Sequence, residues 1–295
     1  PSQIFNSKGF VKTRKLLDNN SWPSGCNHCR IPESNNLTST RHEYELEHKN
    51  LERVEIRFSN ACNMACLHCS PEYSSLWAKK LNYSGPTLGL TSEQVLLICE
   101  DLKNISTIRR IVLSGGEPLV NKNFYKCLEV LSEHSHANEI ILSFHTNLNP
   151  GRSINFDYLN KVLKKFKETY MVVSVDGGKK LYPIFRGGDW NILLSNIEKA
   201  VQMDINVDGT MSLTTHQMND IINCYLDVLP LGFRELRTMY VSTPENLDPK
   251  HSATKKNMEN FDYVLNHIEN NYSGSLRDSS LWYLNICKKR LYESN

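Results

Sequence analysis

Asn60-Ala61-Cys62-Asn63-Met64-Ala65-Cys66-Leu67-His68-Cys69-Ser70 follows directly on the apolar-alternating run Val54-Glu55-Ile56-Arg57-Phe58. The alternation reads as a strand, which places the cysteine stretch in the loop after it. Three cysteines spaced C-x3-C-x2-C can wrap one compact, thiophilic centre. A cubane [4Fe–4S] cluster normally takes four cysteines, so three leave one iron open to an outside ligand. An open iron points to chemistry at the cluster, beyond electron storage. The bland alternatives are chance clustering or a zinc site, although zinc sites usually show paired C-x2-C knuckles and a tetrahedral fourth ligand.

Working outward, the chain has 295 residues, 40% apolar and 22% charged, an ordinary globular balance. That length suits one large α/β barrel, or one domain with a small appendage. Lys+Arg 34 against Asp+Glu 32 leaves a net charge of +2, too little to argue for nucleic acid or an anionic membrane as partner. No run approaches the roughly 18 apolar residues of a membrane span, and no signal-peptide core stands near the start. Nine cysteines are many, and the odd count argues against a complete disulfide framework. Five fall in two tight clusters, Cys26/Cys29 and Cys62/Cys66/Cys69, a pattern that favours metal ligation in a reducing cytoplasm. Cys99, Cys127 and Cys224 sit at helical spacing with apolar neighbours and read as packing residues; Cys287 is less clear.

Residues 1–50 are polar and poorly periodic, apart from Trp22-Pro23-Ser24-Gly25-Cys26-Asn27-His28-Cys29. Pro23 and Gly25 favour a tight turn, with the C-x2-C behind it as a metal knuckle for an iron–sulfur cluster, for zinc, or for no metal. From residue 51 a strand–helix alternation begins. Strands are expected near 53–58, 109–113, 139–144, 170–175, 205–213 and 236–242. Helices are expected near 92–104, 122–134, 156–168, 190–203 and 217–229. Six β-α repeats with short loops imply a parallel sheet curved into a full or partial barrel over residues 51–245. Residues 246–295 read as a C-terminal helical extension, with Phe261, Val264, Leu265 and Ile268 at apolar spacing.

Ligands of such folds bind beyond the carboxyl ends of the strands, where the informative residues of this chain fall. The second strand runs into Leu113-Ser114-Gly115-Gly116-Glu117-Pro118, whose glycines allow close backbone approach to a ligand. The third ends Ser143-Phe144-His145-Thr146-Asn147, where Asn147 is either a ligand contact or a helix cap. The fourth ends Ser174-Val175-Asp176-Gly177-Gly178, followed by Phe185-Arg186-Gly187-Gly188-Asp189-Trp190. The fifth carries Ser212 and Thr214 at its end. His145 and His216 read as structural histidines.

Together these stretches resemble the radical S-adenosylmethionine (radical SAM) superfamily. The resemblance spans roughly residues 20–245. It implies an α/β fold with a six-stranded partial (β/α)6 TIM-like barrel, in agreement with the repeat count. It implies Cys62, Cys66 and Cys69 as [4Fe–4S] ligands, with SAM chelating the fourth iron. Reduction then cleaves SAM to methionine and a 5′-deoxyadenosyl radical that abstracts a substrate hydrogen. Gly115, Gly116 and Glu117 match the GGE motif, in which the acid holds SAM's ammonium. Thr146, Asn147, Ser174, Arg186 and Ser212 fall at cofactor-facing positions. Arg186 suits a carboxylate, and Asp176 is either a substrate or ribose contact or a turn residue. The residue before the third cysteine is often aromatic in the family; here it is His68, an imidazole able to flank the adenine. Cys26 and Cys29 resemble the "twitch" module that holds an auxiliary iron–sulfur cluster, here ahead of the barrel rather than after it. Two cysteines do not hold a cubane alone, and Cys287 or a histidine such as His28 is a candidate to complete the site. The twitch branch implies a peptide or protein substrate and an electron donor such as flavodoxin or ferredoxin. Two alternatives stand beside it: a nucleoside, RNA or small-metabolite substrate, and a non-catalytic cluster or zinc protein that binds a partner.

Overall fold

The computed structural model describes residues 1–34, 50–87 and 89–293. Six strands, β1 (Arg53–Arg57), β2 (Arg110–Ser114), β3 (Ile141–Thr146), β4 (Glu168–Ser174), β5 (Asn206–Leu213) and β6 (Leu236–Tyr240), form one sheet in chain order, with every pair parallel. β1 and β6 are its edges, as the partial (β/α)6 barrel requires. Every expected strand forms, with ends shifted by no more than two residues.

The helices, in chain order, are α1 (Ser2–Phe5), α2 (Lys8–Asp18), α3 (Asn27–Ser34), α4 (Ser75–Lys80), α5 (Ser92–Lys103), α6 (Lys122–Ser132), α7 (Phe156–Leu163), α8 (Tyr182–Arg186), α9 (Trp190–Val201), α10 (Thr215–Asn219), α11 (Ile221–Val228), α12 (Lys255–Asn271) and α13 (Gly274–Glu293). Their starts are written locally. Thr91 and Gln94 cap α5 reciprocally, and the Asp189 carboxylate accepts from the Asn191 and Ile192 amides at the start of α9. The single helix expected over 217–229 is broken at Asp220 into α10 and α11. Thr214 and Gln217 form a second capping box there, so Thr214 is a helix cap.

Period-two alternation divides the sheet into two faces. Ile111, Leu113, Leu142, Phe144, Met171, Val173, Val207 and Met211 are buried on one of them. Phe124 of α6 packs there, its ring 6.3 Å from Phe58 and 5.2 Å from Phe144. The other face carries Arg57, Ser114, His145, Ser174, Thr210, Ser212 and Arg237, all at least partly open to solvent. A polar lumen thus runs up to the carboxyl ends of the strands. α13 packs along β6, where the Cys287 thiol donates to the Thr238 carbonyl (3.7 Å). Cys99, Cys127 and Cys224 are buried core residues, as their spacing indicates, and Cys287 joins them. None of the nine cysteines forms a disulfide. No helix among the described residues is long and apolar enough to cross a membrane.

The N-terminal segment adds helices to those expected from its sequence. In this polar and poorly periodic stretch α1 and α2 form, and Ser2 Oγ donates to Asp101 of α5 (2.7 Å). The turn expected at Pro23 and Gly25 forms as a 3-10 turn, Ser24–Cys26, which runs straight into α3, so that Cys29 stands on a helix. Residues 35–49 of the expected 1–50 segment lie outside the described residues.

Candidate cluster and cofactor site

The loop after β1 carries its own scaffold. Ser74 caps α4 by accepting from the Trp77 amide, and its hydroxyl donates to the Met64 carbonyl (2.6 Å). The Ser75 hydroxyl accepts from Cys62 N–H (3.1 Å) and donates to the Cys62 carbonyl (3.2 Å). Trp77 Nε1 donates to the Cys66 carbonyl (2.8 Å), and Cys69 N–H closes back onto the same oxygen (2.9 Å). From the far side, Leu67 N–H donates to the Phe185 carbonyl of α8 (2.9 Å). These bonds brace the loop's backbone, while the thiols make only long contacts, Cys66 to the Arg186 carbonyl (4.0 Å) and Cys69 to that of Ser70 (3.7 Å). Burial pushes the Cys62 thiol up to about 12 and raises Cys66 and Cys69 as well, so ligation at each sulfur displaces a proton.

The Gly115–Glu117 turn meets this loop. Gly115 (φ +96°) and Gly116 (φ +40°) adopt left-handed backbone. A Cβ on Gly116 would stand 2.1 Å from the Ala61 carbonyl oxygen, and one on Gly115 2.8 Å from that of Ser59. The close approach that needs these glycines is therefore to the cysteine loop's own backbone. Glu117 N–H donates to that same Ala61 oxygen (2.8 Å). The Glu117 side chain is 1% exposed and already accepts three bonds. Thr146 Oγ1 (2.6 Å) and Leu119 N–H (2.9 Å) reach Oε1, and Asn147 N–H reaches Oε2 (2.6 Å). Burial raises its pKa, and these donors oppose the rise. An ionised carboxylate offers about four acceptor directions, so Oε2 keeps one for a further donor. Asn147 does not cap a helix, since α7 is capped by Asn155. Its Nδ2 donates to Asn63 in the cysteine loop (3.0 Å), and its Oδ1 accepts from Asn149 N–H (2.8 Å). Thr146 and Asn147 thus bind the β3 end to both motifs.

At the β4 end the Asp176 carboxylate is buried and paired with the Arg186 guanidinium, and it also accepts from Ser212 N–H. Burial pushes Asp176 up, but the charge of Arg186 overrides it and holds the carboxyl below its usual range. The choice left open for Asp176 is thereby narrowed: it positions Arg186. Ser174 and Ser212 stand half-buried on the lumen face. His68 stacks on Phe185 (5.1 Å, 15°), and His216 meets the same ring edge-on (5.8 Å). Burial lowers the His68 pKa. Three atoms here are enclosed and make no hydrogen bond: His68 Nδ1, Arg186 Nε and Tyr182 Oη.

Residues 56–228, more than half of the chain, match the Radical SAM superfamily. The chain belongs to the radical SAM superfamily. Membership implies a [4Fe–4S] cluster and SAM, and the residues present fit both. Among the described residues no three His, Cys, Asp or Glu side chains gather about a single ion, whereas a cubane takes each cysteine at a different iron. Cys62, Cys66 and Cys69 supply soft thiolates. The free direction on Glu117 Oε2 suits an ammonium, and Arg186 Nε is a buried donor awaiting an acceptor. Cys26 closes the 3-10 turn and Cys29 stands in the first turn of α3. No third metal-ligating side chain gathers with them among the described residues, the side chain of the candidate His28 lies outside what is described, and Cys287 is committed to the α13–β6 contact.

Among curated proteins, the chain is similar to GTP 3',8-cyclases. That of Campylobacter lari is 26% identical over 231 residues, covering 76% of this chain and 64% of the relative. That of Desulforamulus reducens is 24% identical over 200 residues, covering 62% and 57%. The chain therefore spans less than two thirds of these relatives' length. Among solved structures, native anSMEcpe with bound AdoMet aligns with a TM-score of 0.58 at 19% identity, over 77% of this chain and 63% of that one. Streptococcus suis SuiB bound to precursor peptide SuiA aligns at 0.52 and 13%, over 91% and 59%. These structural likenesses bear on the fold.

The sequence reading missed four residues of the site: Ser74, Ser75, Trp77 and Tyr182. Ser74-Ser75 ahead of a short amphipathic run is a legible helix start, but its service to the cysteine loop is a tertiary relation.

Proposed function

We propose that this chain is a radical SAM enzyme that uses a [4Fe–4S] cluster at Cys62, Cys66 and Cys69 to act on a nucleotide. The bound cluster supplies the electron that splits SAM into methionine and a 5′-deoxyadenosyl radical, which takes a hydrogen atom from the substrate. The observation that carries the reading is the set of unpartnered buried atoms, His68 Nδ1, Arg186 Nε and Tyr182 Oη, gathered beside three braced cysteines. Each such atom costs about 1–3 kcal/mol when left unsatisfied, and three in one place call for a polar ligand.

The chain's own residues have separable tasks in this reading. Glu117 accepts from the SAM ammonium through Oε2 while Thr146, Leu119 and Asn147 hold it still. Arg186, aimed by Asp176, donates to the SAM carboxylate. His68, flat on Phe185, flanks the adenine, and Gly115 and Gly116 seat the cysteine loop. Ser174 and Ser212 face the lumen, where substrate meets the cofactor.

The substrate class rests on the sequence relatives, whose stated activity is on GTP. They favour the alternative of a nucleoside, RNA or small-metabolite substrate, here a nucleotide, over the peptide or protein substrate expected from the twitch resemblance. A cytoplasmic setting and a flavodoxin or ferredoxin donor accompany the reading. Cys26 and Cys29 enter no step of it, because the described residues do not complete a second cluster site.

The test is 5′-deoxyadenosine release from SAM by anaerobically reconstituted protein under a strong reductant, with GTP, ATP, CTP and UTP added in turn. Slow release that one nucleotide accelerates, and that Cys62→Ala abolishes, is the expected result. Protein with a full iron complement and no release would refute the activity. Release that no nucleotide accelerates would refute the substrate class alone.

A further inference from the structure

Three asparagines close a ring of hydrogen bonds between the cysteine loop and the end of β3. Asn63 Nδ2 donates to the Asn149 carbonyl (2.7 Å), Asn149 N–H to Asn147 Oδ1 (2.8 Å), and Asn147 Nδ2 back to Asn63 Oδ1 (3.0 Å). Hydrogen bonds chained in this way polarise and strengthen one another. Asn63 follows Cys62 directly, whereas Asn147 and Asn149 flank Leu148 just beyond β3. Asn147 and Asn149 are buried. Asn63 is exposed, so burial does not oblige its amide to pair, and yet both ends of it are engaged on one turn.

The ring spans a turn in an unfavourable conformation. Leu148 is completely buried and has left-handed backbone (φ +49°), which residues other than glycine rarely adopt. Such backbone persists where its surroundings over-determine it. Leu148 N–H is taken by Thr146 Oγ1 (2.9 Å), and its carbonyl accepts from Asn196 Nδ2 of α9 (2.9 Å). Those bonds tie the turn to its own strand and to α9; the Asn63 amide ties it to the cysteine loop. The turn's position matters because Asn147 N–H is the donor on Glu117 Oε2 (2.6 Å), the oxygen that keeps a direction for a further donor. We propose that Asn63 is a positioning residue for SAM: by closing the ring it fixes the Leu148 turn, and with it the Asn147 N–H that aims Glu117 Oε2 at the SAM ammonium. Asn63 thus acts through Glu117, and one amide keys the first cluster cysteine to the acid that binds the cofactor.

The inference rests on the reading of Glu117 as the partner of the SAM ammonium, and the experiment separates the two. The dissociation constant of SAM is measured by equilibrium dialysis on cluster-loaded wild type, Asn63→Ala, Glu117→Gln and the double variant, with iron and sulfide content recorded for each. Glu117→Gln removes the charge of the acceptor and keeps its shape. Asn63→Ala is expected to bind SAM about fivefold more weakly than wild type at equal iron content, the effect of about one hydrogen bond. Added to Glu117→Gln, the same substitution is expected to cost less than about twofold, because the group through which it acts is already disabled. Equal losses in the two backgrounds would overturn the inference, since Asn63 would then serve SAM directly or the fold at large. So would an Asn63→Ala protein that binds SAM as wild type does. Loaded wild type that binds no SAM, or Glu117→Gln that binds it undiminished, would instead remove the functional reading. Should a variant fail to load, the same cycle is read from urea unfolding of the cluster-free proteins: the two substitutions are expected to be non-additive, and additive losses would overturn the inference.

Discussion

Gly116→Ala isolates the contact on which the site's assembly depends. The new Cβ would stand 2.1 Å from the Ala61 carbonyl oxygen and 2.7 Å from its carbon, both backbone atoms that cannot swing aside. Restoring an ordinary carbon–oxygen contact moves the two segments apart by about 1 Å. That movement breaks the Glu117 N–H bond to the same oxygen, at a cost of about 1 kcal/mol. Left-handed backbone at an alanine adds roughly 1 kcal/mol, and the overpacking about 1–3 kcal/mol. The sum is about 3–5 kcal/mol, or roughly 10 °C in Tm for a domain of this size. Gly151→Ala is the control, since it shares the left-handed backbone (φ +71°) but has nothing within 4 Å of its Cβ. It should cost only the conformational part. The assays are thermal unfolding and the iron bound per chain after reconstitution, because Cys62 follows Ala61 directly. A Gly116→Ala protein that melts with the Gly151→Ala control and binds as much iron as wild type would refute the seating argument.

Two further outcomes follow from the carboxylates. Asp176→Asn leaves the Arg186 charge buried and unpaired, which destabilises by about 3–5 kcal/mol near neutrality. Because the native pKa of Asp176 lies below its ordinary value of 3.8, the pair's contribution is complete above that pH and is lost as pH falls through the native value. Urea midpoints of wild type and variant should therefore converge as pH is lowered below about 4; a gap constant with pH would count against the pairing. Thr146→Val removes the donor to Glu117 Oε1 and the acceptor of Leu148 N–H, and is expected to cost about 2 kcal/mol in urea unfolding and to weaken SAM binding. A loss in the noise of the measurement would place Glu117 under the control of its backbone donors alone.

Local signals carried much of the fold. The six strands are short β-branched and aliphatic runs, and parallel pairing in chain order follows from helices of sufficient length between them. Thr91, Asp189 and Thr254 each cap a helix start with their side chains. The break at Asp220 was not visible, since Ile221, Cys224, Tyr225 and Val228 continue the apolar period of the preceding helix. The helices of residues 1–34 were equally hidden. α1, α2 and α4 contain no fully buried residue.

The sequence by itself determined which groups are present at the strand ends: three cysteines at cluster spacing, a Gly-Gly-Glu turn, a threonine, an arginine. Tertiary structure decided what each of them does to the others. Glu117 reads as an acid waiting for a ligand, yet three of its acceptor directions are filled by Thr146, Leu119 and Asn147. Gly115 and Gly116 read as room for a cofactor, yet the space they leave is filled by Ser59 and Ala61. Asp176 reads as a substrate or ribose contact or as a turn residue, yet it holds Arg186. Tyr182 reads as nothing at all. Spacing along a chain fixes which donors and acceptors a loop can offer, whereas their pairing depends on which loops the sheet brings within about 3 Å of one another, a distance no local pattern encodes.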